Sequence, residues 1–445
     1  MRKLLLFTIA TMLIAVHMSA QNDNQDEIYR RNSLSMILIE SDAFPNKESV
    51  MKSWNNYPFP DKYDKHDILT KSVNLKSIEL TKQDILDAGY YKDTLKNIIQ
   101  ILGALKNIEN TLVYLNPEQT IAVEVPGEMK ITQLKINKIL KDQQIAKQMV
   151  QTWFNRSSDG TKFDFDVIAK RGKYSVSDLE ADRTKGTVNP KIQDIGAELI
   201  KNSFTTFTAF EFIENEPAAR FLLEIAKAEI AKGLAGKPQI LIDQSNKAAQ
   251  AIYEKTKEGY SLWSKTWLYQ LKWNDTIMMD FYVNLFNDNK AFDASNLFQM
   301  NFVGVQYNMS LVTFKLGETR TQDQIIDLAL VRNMDNAFAK LQKKNDVFKP
   351  LVRVATSTPI TAQIGMKEGL EGGETFEVLQ KSEKDGRTVY NKIGTVKADK
   401  KVVWDNRYSG GEPTTPLIGK DGNPISATTF KGGKVQVGML LKLVK

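Results

Sequence analysis

The sequence predicts an α+β (or α/β) protein of several domains, in which a mixed region of helices and sheet precedes a small C-terminal β-barrel-like domain. The 445 residues suffice for two or three domains of ordinary size. Up to about residue 349, apolar residues recur at the spacings of helices and of strands in turn, and beyond Pro350 short β-type runs alternate with glycine-rich loops. We therefore divide the chain into a signal peptide (1–20), an N-terminal helical or irregular region (21–130), an α/β domain (131–349) and a C-terminal β-domain (350–445).

The first 20 residues have the three parts of a secretory signal peptide. Arg2 and Lys3 form a positive start, residues 4–16 are apolar, and Ser19 and Ala20 offer a small-residue cleavage site. The apolar run is shorter than a transmembrane helix needs, and no later run reaches ~20 apolar residues. We therefore expect an exported protein without a transmembrane helix, located in the periplasm or associated with the outer membrane or cell surface.

Composition excludes several kinds of site. The chain has no cysteine and two histidines, of which only His66 would remain after removal of the signal peptide. One histidine without cysteine cannot form the usual zinc or iron sites, and packing must replace disulfides. Prolines and a charged run surround His66, which predicts a solvated loop. We expect no catalytic residue, no metal and no cofactor.

The distribution of charge bears on whether the protein binds nucleic acid. The net charge of +7 is spread along the chain without a block of Lys and Arg, so a nucleic-acid partner is not expected.

The first part of the chain is predicted to be mainly helical. Within residues 23–42, apolar residues at helical spacing predict a helix behind a polar leader. Two prolines exclude a regular helix from residues 54–67, whose aromatic residues are expected to fix this segment to the next domain. Helices are then predicted over residues 81–115 and 132–154.

The predicted α/β domain alternates strands with helices. Residues 204–213 and 260–273 show the two-residue period of strands, and two helices are predicted between them, over 218–233 and 244–257. The polar composition of the first of these helices favours an ordinary core-facing helix over one that lies on a membrane.

The end of this domain contains a predicted strand pair and a long helix. Residues 297–307 and 310–315 are the predicted pair. Thr321 and Gln324 have the spacing of a capping box, which starts the helix that follows.

One predicted strand provides the candidate binding residues. Within residues 260–273, Trp263, Trp267, Tyr269 and Trp273 share a face. Such an aromatic stripe can stack on sugar rings or contact a protein partner. Because aromatic residues also fill cores, packing against helices is the alternative for all four.

The segment 359–379 opens the C-terminal domain. Two β-type runs, 360–364 and 375–379, flank a loop rich in Gly, Lys and Glu, which predicts a hairpin-like turn between barrel strands. Residues 402–408 are a further predicted strand, and residues 434–444 close the chain.

A set of sequence blocks is spread over nearly the whole chain: residues 29–34, 58–62 with His66, 153–156, 196–200 with Asn202 and Phe204, 269–275, 364–369, 404–408 and 438–441. These blocks resemble a group of uncharacterised exported envelope proteins of Bacteroidota-type bacteria. The resemblance implies a full-length architecture in common with this group, and it implies no activity.

The glycine-rich turn at residues 365–369, followed by the strand residues 376–378, is distantly similar to the barrel of the curli secretion component and of flagellar-assembly envelope proteins. Those proteins combine an α/β domain with a small β-barrel. This chain differs in having no cysteine to carry a lipid.

These observations lead to one main functional hypothesis and two alternatives. No nucleophile elbow and no phosphate-binding loop is present in the sequence. We expect a non-catalytic exported envelope protein with a binding or assembly role, whose partner is an envelope protein or a glycan. The alternatives are a glycan-acting hydrolase that uses two distant carboxylates and a component of an outer-membrane secretion or surface assembly. A homo-oligomer remains open.

Overall fold

The computed structural model describes residues 30–81, 84, 126–172, 190–311, 320–385, 387–407, 418, 422 and 424–444. Within them, a six-stranded mixed sheet with helices on both faces precedes a closed barrel of six antiparallel strands. The predicted α+β class with a C-terminal β-barrel is confirmed. No helix in this part of the chain is both long and apolar enough to cross a lipid bilayer.

The mixed sheet has the strand order β2-β1-β4-β5-β6, and β3 also pairs with β1. Strand β1 is parallel to β2, β3 and β4, whereas β4, β5 and β6 are antiparallel neighbours. The strands are β1 (Ser33–Ile39), β2 (Asp64–Lys65), β3 (Ser72–Val73), β4 (Ser203–Glu214), β5 (Tyr260–Leu271) and β6 (Met300–Leu311).

Ten α-helices are described, and eight of them cover the sheet. They are α1 (Lys47–Asn56), α2 (Pro126–Asp142), α3 (Ile145–Trp153), α4 (Asp166–Gly172), α5 (Pro190–Ile195), α6 (Glu216–Gly233), α7 (Gln239–Thr256), α8 (Asp275–Asp280), α9 (Asn289–Ala294) and α10 (Gln322–Lys344). Helices α2 to α5, α8 and α9 share one core with the sheet, and α1 and α10 share the other. Two short π-helical segments, Gly196–Ile200 and Phe281–Leu285, continue α5 and α8.

Strand β1 (Ser33–Ile39) lies where a helix was predicted within residues 23–42. Ile37 and Ile39 belong to the core on one side of the sheet, whereas Leu34 and Leu38 belong to the other. A strand that is buried on both faces has a nearly continuous apolar sequence. Such a run contains helical spacing by chance, which explains the wrong prediction.

Other elements differ in detail from the predictions. The helix predicted over 132–154 is two helices, because Gln144 adopts a left-handed conformation with φ of 50° between α2 and α3. The strand pair predicted near residues 297–315 is one strand up to Leu311. The capping box of α10 is confirmed, since Thr321 and Gln324 exchange both hydrogen bonds. Most of the helix predicted over 81–115 lies outside the described residues.

The barrel has the strand order β10-β11-β8-β7-β12-β9. Its strands are β7 (Leu351–Ser357), β8 (Ile360–Ala362), β9 (Thr375–Lys384), β10 (Arg387–Ala398), β11 (Thr428–Gly432) and β12 (Leu440–Leu443). The predicted loop does connect two barrel strands, β8 and β9. These strands are not neighbours in the barrel order, so the loop is not the hairpin-like turn that was predicted. Residues 402–408 form no described strand, only a bridge from Trp404 to Gly365.

The loop between β8 and β9 joins the barrel to the helical region. Its 3₁₀ turn, Met366–Glu368, packs against α10. A Cβ on Gly369 would lie 3.2 Å from the Cβ of Ala339, and one on Gly365 would lie 2.2 Å from the Trp404 carbonyl oxygen. The glycines are therefore needed for close contact as well as for a turn.

Candidate functional site

The predicted aromatic face of β5 exists, and most of it is buried. Trp267, Tyr269 and Trp273 belong to the core beneath α2 to α5, whereas Trp263 is half-buried near the far end of the strand. The Tyr269 hydroxyl donates to Asn137 Oδ1 at 2.9 Å, and burial raises the pKa of Tyr269. Packing thus accounts for Trp267 and Tyr269, while a binding role for the four residues stays a prediction.

A pocket of about 370 Å³ lies beside Trp273. A Cβ at Gly196 would be 2.7 Å from Trp273 Nε1, so this glycine permits the indole to pack against the π-helical segment. The lining includes Asp275 as its one carboxylate. A pair of carboxylates, which glycoside hydrolysis needs, is therefore not supplied by the lining. The lining residues are Gln193, Gly196, Ala197, Lys201, Trp273, Asn274, Asp275, Thr276 and Met278.

Helix α5 and its π-helical continuation separate this pocket from the barrel. The Asp194 carboxylate accepts from the Thr388 backbone N–H at 2.7 Å and from its hydroxyl at 3.0 Å. The Tyr390 hydroxyl donates to Glu198, and burial raises the pKa of Glu198. Carboxylates on this segment therefore hold strand β10 in place.

His66 is buried, so the predicted solvated loop is wrong. Its Nε2 lies 2.8 Å from the Met149 carbonyl oxygen, and its Nδ1 lies 3.1 Å from Nη1 of Arg171. The Arg171 guanidinium also donates to Ser33 and stacks 4.7 Å from the Trp153 ring. Burial, together with the charge of Arg171, lowers the pKa of His66 to about 3. A neutral imidazole with both nitrogens engaged serves to fix α3 and α4 against β1.

A second buried polar cluster lies where the barrel meets α10. Glu368 accepts from the Gly365 N–H at 2.8 Å and from the Asn406 amide at 2.9 Å. Burial raises the pKa of Glu368. Nearby, the Tyr57 hydroxyl donates to Asp335 at 3.0 Å. Because these polar groups satisfy one another, they stabilise the junction between the two parts of the chain.

Helices α6 and α7 form an antiparallel pair, the helical hairpin, between β4 and β5. Ala219 and Leu223 of α6 and Ala249 of α7 are its buried residues. The prediction that α6 is a core-facing helix is therefore wrong, since α6 packs mainly against α7. The hairpin exposes Phe221, Leu222, Ile225, Ile240, Leu241 and Ile252, with exposed fractions from 43% to 66%.

The two sides of the hairpin differ in chemistry. At about 100° per residue, one side carries Ala218, Leu222, Ile225, Leu241, Ala248 and Ile252, which we call the apolar face. The opposite side, the solvated face, carries the ion pairs Arg220–Glu216, Lys227–Glu224 and Lys257–Glu254. Sequence reasoning missed this asymmetry because it assumed that α6 would bury its apolar residues in the core.

No protein-family model matches this chain, and no curated protein matches it. Among the residues that the structure describes, no cluster of three or more His, Cys, Asp or Glu side chains could hold a metal ion. The exposed apolar residues of the helical hairpin make it the candidate site that the geometry favours.

Proposed function

We propose that this chain is a non-catalytic, exported cell-envelope protein with a binding or assembly role, and that the helical hairpin is its interaction surface. The observation that carries the proposal is the exposed apolar face of the hairpin. Export is supported by the signal-peptide pattern of residues 1–20.

The hairpin is an appendage of the sheet. The Asn215 N–H donates to the Gly259 carbonyl oxygen at 3.1 Å, so the two ends of the insertion lie together where β4 and β5 are joined. A turn of a few residues could make the same connection. The insertion from Asn215 to Glu258 has 44 residues and buries little of its own apolar surface. A role in binding therefore explains it better than a role in folding.

The structure supports the two alternative functions, a glycan-acting hydrolase and a secretion or surface assembly, to different degrees. A glycan-acting hydrolase needs two carboxylates about 5–10 Å apart in a cleft, and the pocket beside Trp273 offers Asp275 alone among its lining residues. A role in an outer-membrane secretion or surface assembly is a special case of the main proposal, because such an assembly also needs a protein-binding surface.

Site-specific photo-crosslinking in the producing cell tests the proposal. A photoreactive amino acid replaces Leu222 on the apolar face, and Ala231, which is exposed on the solvated face, is the matched control position. We expect a discrete crosslinked product from position 222 and none from position 231. Absence of any product from positions 222, 225 and 252 would contradict a binding role for the hairpin.

A further inference from the structure

We propose that the pocket beside Trp273 binds a small zwitterion of the α-amino acid type, with its carboxylate toward Lys201 and the Trp273 indole and its ammonium group toward Asp275. All three residues line the pocket. The inference goes beyond the proposed function, because this site belongs to the sheet and its helices and does not depend on the helical hairpin. It is carried by polar groups of the lining that the described protein does not use.

The indole N–H of Trp273 is the buried member of this set. Trp273 is 5% exposed, and its Nε1 is buried without a hydrogen-bond partner. Such donors are rare in folded proteins, because burial removes them from water without compensation. A Cβ at Gly196, which also lines the pocket, would lie 2.7 Å from this nitrogen. The missing side chain therefore leaves space at about the distance of a hydrogen-bond acceptor.

The wall of the pocket beside this N–H is a π-helical turn. Gly196 and Ala197, which begin the π-helical segment Gly196–Ile200, both line the pocket. Single π-helical turns are rare and occur frequently at functional sites, because they are less regular than the helix that they interrupt. A binding role explains why α5 continues into such a turn at this point.

Lys201 and Asp275 give the pocket one positive and one negative charge. No ion pair or side-chain hydrogen bond joins either of them to another described residue. Glu198, the acid nearest to Lys201 in the chain, instead accepts from the Tyr390 hydroxyl of the barrel. A ligand with both charges complements this lining, whereas an anion alone would meet Asp275 and a cation alone would meet Lys201.

The size of the pocket and its neutral side chains narrow the ligand further. A volume of about 370 Å³ lies at the lower end of the range for small-molecule sites, which favours a single amino acid over a peptide. Asn274 Oδ1 already accepts from the Ile277 N–H, so this side chain offers its amide donors. Gln193 and Thr276 can each donate or accept.

A saccharide fits the pocket less well. Sugar rings bind aromatic side chains by stacking on the ring face. The Trp273 ring instead packs against Phe281, edge to face at 5.9 Å between centroids, and is parallel to Phe298 at 6.4 Å. The indole therefore offers the pocket its N–H edge, which favours a ligand with a strong acceptor such as a carboxylate.

Isothermal titration calorimetry of the purified protein with the common amino acids at millimolar concentration tests the inference. We expect at least one amino acid with a small side chain to bind. Its N-acetyl derivative lacks the positive charge and its methyl ester lacks the negative charge, so these are the matched probes. Each should bind at least tenfold more weakly than the parent amino acid.

Two conservative variants test the roles of the charged residues. Lys201→Gln and Asp275→Asn should each weaken binding at least tenfold, because each replaces a charged hydrogen bond by a neutral one. Lys272→Gln removes an exposed charge close to the pocket but outside its lining, and it should leave the affinity unchanged. Circular dichroism and thermal unfolding establish that all three variants remain folded.

The indole N–H provides a spectroscopic test of the binding geometry. In protein with isotope-labelled tryptophan, the Trp273 indole resonance is the one that is lost in Trp273→Phe. We expect this resonance to move downfield when the amino acid is added, because its N–H gains an acceptor.

Several outcomes would overturn the inference. They are no binding of any common amino acid, equal affinity of the wild type and Lys201→Gln, and an indole resonance that does not move at saturation. Equal affinity for the N-acetyl derivative would overturn the zwitterion. Binding of neutral glucose or N-acetylglucosamine in place of amino acids would overturn it as well and assign the pocket to a saccharide. The crosslinking expected from the hairpin is unaffected by each of these results.

Discussion

The buried His66 predicts a pH dependence of stability that one substitution should remove. Arg171 is a permanent donor at 3.1 Å from Nδ1, so this nitrogen accepts, and Nε2–H donates to the Met149 carbonyl oxygen. Protonation would place a second N–H against the guanidinium. Desolvation, followed by the charge of Arg171, accordingly lowers the pKa of His66 to about 3, while the hydrogen bond to the Met149 carbonyl oxygen and the charge of Asp67 act in the opposite direction.

The sign and size follow from the two pKa values. In the unfolded chain, His66 has an ordinary pKa of about 6.5, so between pH 6.5 and 3 the unfolded state binds one proton more than the folded state. The free energy of unfolding therefore decreases as the pH falls through this window. At about pH 5, roughly 1.5 pH units below the unfolded pKa, the loss is about 2 kcal/mol.

The assay is urea unfolding at about pH 7.5 and pH 5, followed by tryptophan fluorescence, because Trp153 lies 5.2 Å from the imidazole. The comparison is wild type against His66→Gln, whose amide keeps a donor for Met149 and an acceptor for Arg171 but does not titrate. Other titrating groups are common to both proteins and cancel in the difference.

We expect the wild type to lose about 2 kcal/mol more than His66→Gln between the two pH values. If the free energy of unfolding decreases by the same amount in both proteins, within about 0.5 kcal/mol, the inference that His66 is buried in its neutral form is wrong.

Three further predictions concern packing, capping and the domain junction. Gly196→Ala places a Cβ 2.7 Å from Trp273 Nε1, and it should cost about 1–3 kcal/mol in urea unfolding, whereas Ala at the open position Gly233 should be neutral or stabilising. Thr321→Ala removes the capping box of α10 and should lower the free energy of unfolding by about 1 kcal/mol; an unchanged midpoint of thermal unfolding would contradict this. Glu368→Ala leaves the Gly365 N–H and the Asn406 amide without their acceptor and should cost about 1–3 kcal/mol. Limited proteolysis should then cut between α10 and the barrel, and resistance equal to that of the wild type would refute a stabilising role for this cluster.

The sequence predicted correctly those elements that are determined by residues close to one another in the chain. The capping box at Thr321 and the alternation of β5 were both predicted from the sequence, because each depends on contacts within a few residues. The change to a purely β-type pattern after Pro350 likewise located the barrel. The barrel order was not readable, because pairing of β9 with β12 joins residues more than 50 positions apart.

In the candidate site, too, some features were predicted from the sequence and others depend on tertiary contacts. The sequence determined that two helices lie between β4 and β5, and that the chain offers a single histidine beyond the predicted signal peptide. Only the tertiary structure decided which apolar faces are covered: β1 is buried on both sides, His66 lies against Arg171, and the hairpin leaves Leu222 and Ile252 exposed. The physical reason is that an apolar pattern specifies a surface that favours burial, whereas the partner that buries it is set by contacts distant in sequence.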